Sequence, residues 1–518
     1  MIKYIVLACC LLLHSVSDHL FAQSTQHPNI IYILADDLGY GDVSFFNENS
    51  KLATAAIDDL AKQGVAFTDA HTSSAVCTPT RYGILTGRYN WRSTLKKSVL
   101  SGYSKALIEP ERLTVGKLLQ QNGYHTAFVG KWHLGWDWSF SGQDEGINSL
   151  NTNPPIDFTQ PIKNGPDTQG FDYSFGFNGS LDMPPYVYVE NGSATSTVID
   201  TTQNADYKGF WRKGPTAQDF NHTTTLDDLT KKATDYINEQ AQSSTPFFLY
   251  FALPAPHTPI LPTTEFLGKS NTNFYGDFVL QVDDVVRRVV EALETQGVRE
   301  NTMIIFTSDN GCSPRADFEE LAKVEHDPSF IFRGHKADIY EGGHRVPFIV
   351  NWTGGIDKPF VSDEVICTTD FMATCADVLN VPVPNEAAED SYSFLPVLHQ
   401  ESLDEPLREA TVHHSIEGRF AIRKDNWKLI LWPGSGGWSE PQSGEALQGL
   451  EPMQLYNLVE DAAEQENLYN QYPEIVDSLT ELLTKYIENG RSTPGKLQSN
   501  DGPTVWEQLD WMDTAQGN

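Results

Sequence analysis

Cysteine is scarce in this chain of 518 residues, which contains only six. So few cysteines in so long a chain exclude a scaffold held together by disulfides. Two of them, Cys9 and Cys10, lie close to the N-terminus, and the others are Cys77, Cys312, Cys367 and Cys375. An exported chain could pair two of the latter four, with Cys367 and Cys375 as the nearest couple, but the sequence leaves the connectivity open.

Positive charge is also in short supply, with 36 lysines and arginines against 69 aspartates and glutamates. The formal net charge of −33 argues against nucleic acid as a partner, because a phosphate backbone would be repelled. A diffusely acidic surface is typical of a soluble protein whose charges are screened by salt.

A third absence is that of long apolar runs. The run from Ile5 to Leu13 follows Lys3 and precedes small residues near Ala22, and it is too short to span a bilayer. This pattern predicts a secretory signal peptide over residues 1–22, with a lipoprotein signal at Cys9 or Cys10 as the alternative. We therefore expect an exported protein, periplasmic or secreted, without stable membrane insertion.

Four apolar stretches rich in β-branched or aromatic residues predict buried parallel strands. They are NIIYILADD at 29–37, HTAFVGKWH at 125–133, PFFLYFALPAPH at 246–257 and TMIIFTSDN at 302–310. Amphipathic stretches between them predict helices, namely AIDDLAKQGV, TVGKLLQQNGY and FVLQVDDVVRRVVEALETQGV. This alternation predicts an α/β fold, with a large central, mostly parallel sheet flanked by helices.

Two regions break this rhythm. Residues 151–217 are rich in Pro, Gly, Asn and Asp, which predicts long loops. After about residue 400, RFAIRKDNWKLILW predicts two antiparallel strands and EIVDSLTELLTKYIENG predicts a closing helix. We therefore expect a large domain over residues 23–400 and a smaller C-terminal α+β subdomain over residues 401–518.

Acidic and amide side chains follow two of the predicted strands. Asp36 and Asp37 end the first, and Asp309 and Asn310 end the last. Ligands of open α/β sheets bind beyond the carboxyl ends of the strands, so one pocket is expected to contain all four groups. Three carboxylates and an amide suit calcium or magnesium and are poor zinc ligands. A single aspartate at a strand end is more often a cap or turn residue, but four such groups packed without a cation would be costly.

Lysine and histidine side chains, which can bind anions or transfer protons, also follow predicted strands or lie in a glycine-rich loop. Lys131 and His133 follow the second strand, His257 follows the third, and Lys336 lies in the glycine-rich loop GHKADIYEGGHRVP. A metal ion surrounded by lysine and histidine is a site for a tetrahedral oxyanion such as sulfate or phosphate. Taken singly, Lys131 is equally well explained as a surface lysine and His257 as a turn residue.

The stretch SSAVCTPTRYGILTGRY, from Ser73 to Tyr89, places Cys77 two residues before Pro79 and four before Arg81. CTPTRYGILTGR resembles the Cys-x-Pro-x-Arg signature of the type I, formylglycine-dependent sulfatases. The blocks ADDLGYGD, GKWHLG, PHTP, SDNG and HKADIYEGGHRVP also resemble that family's blocks, in its usual order. The resemblance runs from about Asn29 to the C-terminal helix. It implies an alkaline-phosphatase-like fold and hydrolysis of sulfate esters.

The resemblance also implies a modified nucleophile and a metal. A separate formylglycine-generating enzyme would convert Cys77 to Cα-formylglycine, and one hydroxyl of its hydrate would attack sulfur. The second hydroxyl would then expel sulfate, a step for which a thiol has no equally simple route. One calcium ion would be bound by Asp36, Asp37, Asp309, Asn310 and the modified Cys77.

Further roles follow from the same resemblance. Arg81 would hold the modified residue, and Lys131 and Lys336 would bind the sulfate group. His133 would assist the elimination of sulfate, and His257 would protonate the leaving oxygen.

Three other residues carry weaker expectations. Ser180, in GFNGSLDMPPY, falls where the family often has a serine that contacts sulfate. His335 and His344 stand where the family often has smaller residues, and they are equally compatible with leaving-group contacts and with ordinary loop positions.

The substrate prediction depends on export and on aromatic residues close to the predicted site, namely Trp132, Trp136, Trp138, Tyr186 and Tyr188. Aromatic faces in a polar cleft suit sugar rings, although core packing also explains many such residues. We expect an exo-acting sulfatase of a sulfated poly- or oligosaccharide, with a galactose-type 6-sulfate as the narrower hypothesis. The alternatives are a phosphonate or phosphate ester hydrolase of the same superfamily, a glycan-binding protein with a degenerate site, and a cysteine phosphatase.

Overall fold

The computed structural model describes residues 27–141 and 153–515, so the predicted signal peptide lies outside the described residues. The strands in these ranges are β1 Asn29–Asp36, β2 Val65–Phe67, β3 Ala70–His71, β4 His125–Lys131, β5 Tyr173–Phe177, β6 Val189–Glu190, β7 Ser193–Ala194, β8 Val198–Asn204, β9 Trp211–Ala217, β10 Phe247–Pro256, β11 Thr302–Ser308, β12 Phe348–Asn351, β13 Phe360–Ser362, β14 Ile366–Cys367, β15 Thr411–His414, β16 Phe420–Lys424, β17 Trp427–Ile430 and β18 Gln454–Asn457.

The α-helices in the same ranges are α1 Ala55–Lys62, α2 Cys77–Thr86, α3 Val115–Gln121, α4 Thr225–Gln240, α5 Phe274–Thr295, α6 Phe318–Ala322, α7 Glu341–His344, α8 Phe371–Leu379, α9 Leu395–Leu398, α10 Pro473–Glu488 and α11 Asp510–Ala515. None of these helices combines the length and the apolar composition that a membrane crossing requires.

A ten-stranded sheet has the order β13-β2-β12-β11-β1-β10-β4-β5-β6-β7. Its five central strands, from β11 to β5, are mutually parallel. The four stretches predicted as buried parallel strands form β1, β4, β10 and β11, which are adjacent at the centre of this sheet. The predicted α/β class is therefore confirmed.

The alternation of side chains along β1 explains why helices cover both faces of the sheet. Ile31 and Ile33 pack into one apolar cluster, which contains valines of α5, whereas Ile30 and Tyr32 pack into another, which contains apolar residues of α8. All eight residues of β1 are buried, which is the pattern of a strand covered on both faces.

The prediction of long loops over residues 151–217 is wrong for several segments. β5 to β9 lie in this region, and β8 and β9 pair as an antiparallel ribbon outside the main sheet. Most of β8 is exposed and polar, and only Gly214 and Ala217 of β9 are buried, so neither strand shows an alternating apolar pattern.

The C-terminal segments have the predicted α+β character. β15 to β18 form a four-stranded antiparallel sheet, and α10 packs on it through Leu479 and Leu483. The same apolar cluster includes Tyr89 and Trp91, so this sheet packs directly against the segment that follows α2. The domain boundaries at residues 22 and 400 remain predictions.

Candidate active site

The carboxyl ends of β1, β4, β10 and β11 lie side by side, and each is followed by polar residues. The chain turns sharply out of two of these strands, since Asp37 and His133 have left-handed φ angles of 66° and 54°. Non-glycine residues pay for this conformation, and such positions are concentrated at functional sites. The turns place side chains of four separate strands around one buried point.

Cys77 lies at this point, as the first residue of α2, and only 3% of its surface is exposed. Burial raises the pKa of its thiol, although Lys131 and Lys336 act in the opposite direction. Potential ligand atoms of Cys77, Asp36 and Asp309 lie within 4.8 Å of one another.

Arg81 follows one turn later on α2 and is fully buried. Its Nε and Nη2 donate to Asp309 Oδ2 at 3.0 and 2.8 Å, and its Nη1 donates to the carbonyl oxygen of Lys131 at 2.7 Å. Charge-assisted bonds of this kind fix both partners in position. Arg81 therefore connects α2 to the ends of β4 and β11.

Two lysines approach the carboxylates of β1. Lys131 Nζ lies 2.5 Å from Asp36 Oδ2, and Lys336 Nζ lies 2.5 Å from Asp37 Oδ1. Asn310 Nδ2 donates to the same oxygen of Asp37 at 2.8 Å. Asp36 and Asp37 thus each accept side-chain hydrogen bonds from the described residues through one carboxylate oxygen only.

The other oxygens of these groups have no hydrogen-bond partner among the described residues. These atoms are Asp36 Oδ1, Asp37 Oδ2 and Asn310 Oδ1, and all three are buried. A buried oxygen without a partner is costly, and hard oxygen atoms converging on one point are the ligands that calcium and magnesium require. The donor set therefore fits the predicted divalent cation.

The protonation equilibria of the carboxylates reflect the same crowding. Burial and the neighbouring Asp36 raise the pKa of Asp309 to about 7. Burial acts in the same direction on Asp36, but Lys131 and His257 outweigh it and hold the pKa of Asp36 below its ordinary value. Opposite shifts of two adjacent carboxyls are typical of functional sites.

His257 follows β10 and faces both Asp37 and Ser180. Its Nε2 lies 3.7 Å from Asp37 Oδ2, and its Nδ1 lies 3.2 Å from Ser180 Oγ. Burial and the charge of Lys336 lower the pKa of His257. Ser180 therefore contacts a histidine of the site.

His133 has one nitrogen engaged and one without a partner in the described part of the chain. Its Nε2 donates to the carbonyl oxygen of Leu100 at 2.9 Å, whereas its buried Nδ1 makes no hydrogen bond there. Its own carbonyl oxygen accepts from Thr78 Oγ1 at 2.9 Å, next to Cys77. Burial and Lys131 lower the pKa of His133, which favours the neutral ring, and its Nδ1 is then a hydrogen-bond acceptor.

The two histidines near Lys336 lie in different surroundings. His335 contacts Ser439 Oγ through Nε2 at 3.1 Å, in a loop after β17. His344 is stacked on His413 with ring centroids 3.8 Å apart and lies 3.0 Å from Lys428 Nζ. His344 therefore belongs to the contact between the two sheets.

The four described cysteines, Cys77, Cys312, Cys367 and Cys375, are all buried free thiols. The pairing that the sequence left open, including Cys367 with Cys375, is not present.

A cleft of about 480 Å³ opens from Lys336 and His257 to the surface. Most of its lining was not predicted as part of the site, namely Asp182, Tyr207, Phe210, Arg212, Thr258, Ser313, Pro314, Arg315 and Trp438. Asp182 and Thr258 lie in the stretches GFNGSLDMPPY and PHTP noted above. The others come from distant segments without a shared motif, so local sequence carried no signal for them.

The aromatic residues expected to face sugar are instead part of the interior. Trp132, Trp136, Trp138, Tyr186 and Tyr188 are all at least nine-tenths buried. The cleft contains Tyr207, Phe210 and Trp438 in their place, and Tyr207 and Trp438 are 55% and 43% exposed.

The chain is similar to proteins of a known family. A family model described as Sulfatase matches residues 28–381, and one described as N-sulphoglucosamine sulphohydrolase, C-terminal, matches residues 334–489. The N-acetylgalactosamine-6-O-sulfatase of Bacteroides thetaiotaomicron is 34% identical over 506 residues, which cover 89% of this chain and 93% of that protein. Human N-acetylgalactosamine-6-sulfatase is 28% identical over 435 residues, covering 81% of this chain and 74% of that protein.

A solved structure from work on the metabolism of multiple glycosaminoglycans by Bacteroides thetaiotaomicron superposes with a TM-score of 0.76. It is 33% identical and covers 89% of this chain and 99% of its own. The chain therefore belongs to the sulfatase family and is a sulfuric ester hydrolase.

Proposed function

We propose that this protein hydrolyses the 6-O-sulfate ester of a terminal N-acetylgalactosamine or galactose-type sugar in a sulfated glycan. The similarity to N-acetylgalactosamine-6-sulfatases of bacterial and animal origin supports this substrate. The same proposal includes maturation of Cys77 to formylglycine, one calcium ion, and export through the signal peptide predicted at residues 1–22.

One observation carries the chemistry. The unpaired oxygens of Asp36, Asp37 and Asn310 are buried beside Cys77, between Lys131 and Lys336. Arg81, Lys131 and Lys336 offset the charge of the three carboxylates but leave these oxygens without partners. A cation held by these oxygens and by Asp309 would satisfy them and add the positive charge that attracts a sulfate ester.

Formylglycine hydrate would supply a hydroxyl nucleophile, and calcium would neutralise negative charge on the sulfate oxygens. Arg81, bound to Asp309, would keep the modified side chain oriented at the start of α2. Lys131 and Lys336 would donate to sulfate oxygens as charge develops on them. In the second step, the unpartnered Nδ1 of His133 would accept the proton of the remaining hydroxyl, so that the aldehyde re-forms as the carbon–oxygen bond to the sulfate group breaks and sulfate leaves.

His257 lies at the inner end of the cleft, where the sugar oxygen would leave. It would deliver a proton to that oxygen, with Ser180 Oγ orienting the imidazole ring. Farther out, Asp182 and Arg212 form an ion pair on the cleft wall. A paired acid and base of this kind offers both an acceptor and donors to sugar hydroxyls.

The depth of the site supports exo action. Asp36, Asp309 and Asn310 have no exposed surface, and Cys77 is 3% exposed. A sulfate carried on a terminal sugar can reach such a point, whereas one in the middle of a chain would force both flanking sugars into the walls.

Mass spectrometry of the peptide that contains Cys77 tests the nucleophile. The protein would be expressed with and without a formylglycine-generating enzyme. We expect an aldehyde at position 77 only in the first preparation, with activity on 6-sulfated N-acetylgalactosamine proportional to its fraction. Full activity with an intact thiol would refute the assignment. Hydrolysis rates would also be compared between sulfate and phosphonate esters of the same alcohol. Faster hydrolysis of the phosphonate ester would indicate an enzyme that acts on phosphorus instead.

A further inference from the structure

We infer that Arg315 binds a second anionic group of the substrate, in addition to the sulfate that is cleaved. The inference rests on the proposed function, because it concerns the outer part of the same cleft. It narrows the substrate to glycans that carry a carboxylate or another sulfate beside the scissile ester.

Arg315 is fixed in position before any substrate arrives. It lies in a short helical turn, Pro314–Ala316, which is capped by Ser313. The backbone amide of Arg315 donates a hydrogen bond to Ser313 Oγ at 3.3 Å. Its guanidinium lies over the rings of Tyr207 at 4.7 Å and Phe210 at 5.5 Å, and Nη1 donates to the carbonyl oxygen of Tyr207 at 3.2 Å. A stacked guanidinium loses little freedom on binding, which favours affinity.

Arg315 has no carboxylate partner among the described residues of the cleft. The charged or ionisable residues that line it are Asp182, Arg212, His257, Arg315 and Lys336. Arg212 is paired with Asp182, and Lys336 is paired with Asp37. No carboxylate of the described residues lies within ion-pair distance of Arg315.

The geometry indicates the chemistry of the ligand. Lys336 and His257 mark the inner end of the cleft, where the scissile sulfate would bind, and Arg315 lies on its outer lining. A planar guanidinium matches two oxygens of a carboxylate or a sulfate group. The second anion therefore belongs either to the sulfated sugar itself or to the sugar next to it.

The test compares three substrates with a common 6-sulfated N-acetylgalactosamine. One is the monosaccharide, the second carries an adjacent hexuronate, and the third carries a second sulfate on the same ring. We expect the wild-type protein to favour at least one of the two dianionic substrates over the monosaccharide. Arg315→Gln should lower kcat/KM for that substrate by about 10- to 100-fold, mainly through KM, with less than a twofold change for the monosaccharide. If kcat/KM of Arg315→Gln falls for the substrate with the hexuronate, the second anion is a carboxylate; if it falls for the doubly sulfated substrate, the second anion is a sulfate.

Two matched variants make the result specific. Arg315→Lys keeps the charge but not the planar fork, so it should restore only part of the preference. Arg288→Gln removes a partly exposed arginine of α5 that pairs with Asp227 outside the cleft, and it should leave all three rates unchanged. An equal loss by Arg315→Gln on all three substrates, or the absence of any preference in the wild type, would overturn the inference.

Binding separates this inference from the proposed function. In Cys77→Ala protein, which has no nucleophile at this position, calorimetry can measure the affinity for each of the three compounds without turnover. A dianionic compound that binds more tightly than the monosaccharide in this background, and loses the advantage when Arg315→Gln is added, supports the inference even if hydrolysis fails. Equal affinities for all three compounds would contradict it whatever the activity.

Discussion

At the scale of single residues, the site consists of side chains that hold one another in place. Arg81 binds Asp309, Lys131 binds Asp36, and Lys336 binds Asp37. Removing one partner from a buried pair leaves the other charge uncompensated, so substitutions here affect both stability and activity. His257 and Asn310 allow sharper tests, because neither carries a permanent charge.

His257→Ala should slow the enzyme according to its leaving group. A sugar alcohol leaves poorly without a proton, so the rate on a sulfated sugar should fall by about 100-fold or more. A nitrophenyl sulfate has a good leaving group and should lose far less. Steady-state kinetics on both substrates checks this, with Ser180→Ala expected to show the same pattern in weaker form. Equal losses on the two substrates would exclude a role in leaving-group protonation.

Asn310→Ala should weaken calcium binding by about tenfold or more, because it removes one of the three unpaired oxygens. Calorimetric titration of metal-free protein with calcium measures this without any assay of activity. Calcium should also raise the melting temperature of the wild type, since it binds only the folded state. Asn238→Ala, on the exposed face of α4, is the control. An unchanged affinity in Asn310→Ala would remove Asn310 from the ligand set.

At the scale of elements, α1 is capped by a neighbouring helix. Its N-cap residue, Thr54, makes no side-chain capping bond. Asp283 of α5 accepts instead from the backbone amides of Ala56 and Ile57, at 3.2 and 2.9 Å. Burial raises the pKa of Asp283 to about 6, although these two amides act in the opposite direction. The cap therefore joins two helices on one face of the sheet.

Asp283→Ala should destabilise the protein by about 1–2 kcal/mol through loss of this cap. Because the folded pKa of about 6 lies above that of an unfolded aspartate, the folded state binds the proton more tightly. The stability of the wild type relative to Asp283→Asn should therefore fall as pH rises from about 4 to 6.

Urea denaturation at several pH values checks both statements. Asp59→Ala, at an exposed position of α1, should change stability by less than about 0.5 kcal/mol. A pH-independent difference between wild type and Asp283→Asn would show that Asp283 is not the titrating group.

At the scale of the whole molecule, a buried ion cluster joins the C-terminal sheet to α7, which follows the loop of Lys336. Lys428 of β17 lies 3.0 Å from Glu341 Oε1 and 2.8 Å from Glu464 Oε1, and none of the three side chains is exposed. Glu341 is the first residue of α7, five residues after Lys336. The C-terminal sheet thus supports the loop that carries a lysine of the site.

Lys428→Met should lower stability by about 3–5 kcal/mol, because the buried Glu464 would lose its cation and Glu341 would keep only its pair with Arg345. Lys424→Met is the matched control, since Lys424 is 40% exposed beside Glu409 and exposed pairs contribute at most about 1 kcal/mol. Thermal unfolding of both variants measures the difference. Similar melting temperatures would show that the cluster does not hold the C-terminal sheet to α7.

The strand predictions succeeded where burial is complete. β10 is apolar over its whole length and β1 from Ile30 to Ala35, and this pattern does not depend on the rest of the fold. The ribbon of β8 and β9 could not be predicted, because its exposed polar residues form strands only through pairing with each other. Trp132 and Tyr186 were expected in the cleft because they lie close to site residues in sequence, but depth in the fold is not a local property.

The sequence by itself determined the central sheet and the chemistry at its edge. Strand ends carry Asp36, Lys131, His257 and Asp309, and parallel strands bring such ends together whatever surrounds them. Only the tertiary structure decided the shape and charge of the substrate cleft. Asp182, Arg315 and Trp438 reach it from three distant segments, and their meeting depends on how loops and the C-terminal sheet pack, for which short stretches of sequence contain no periodic signal.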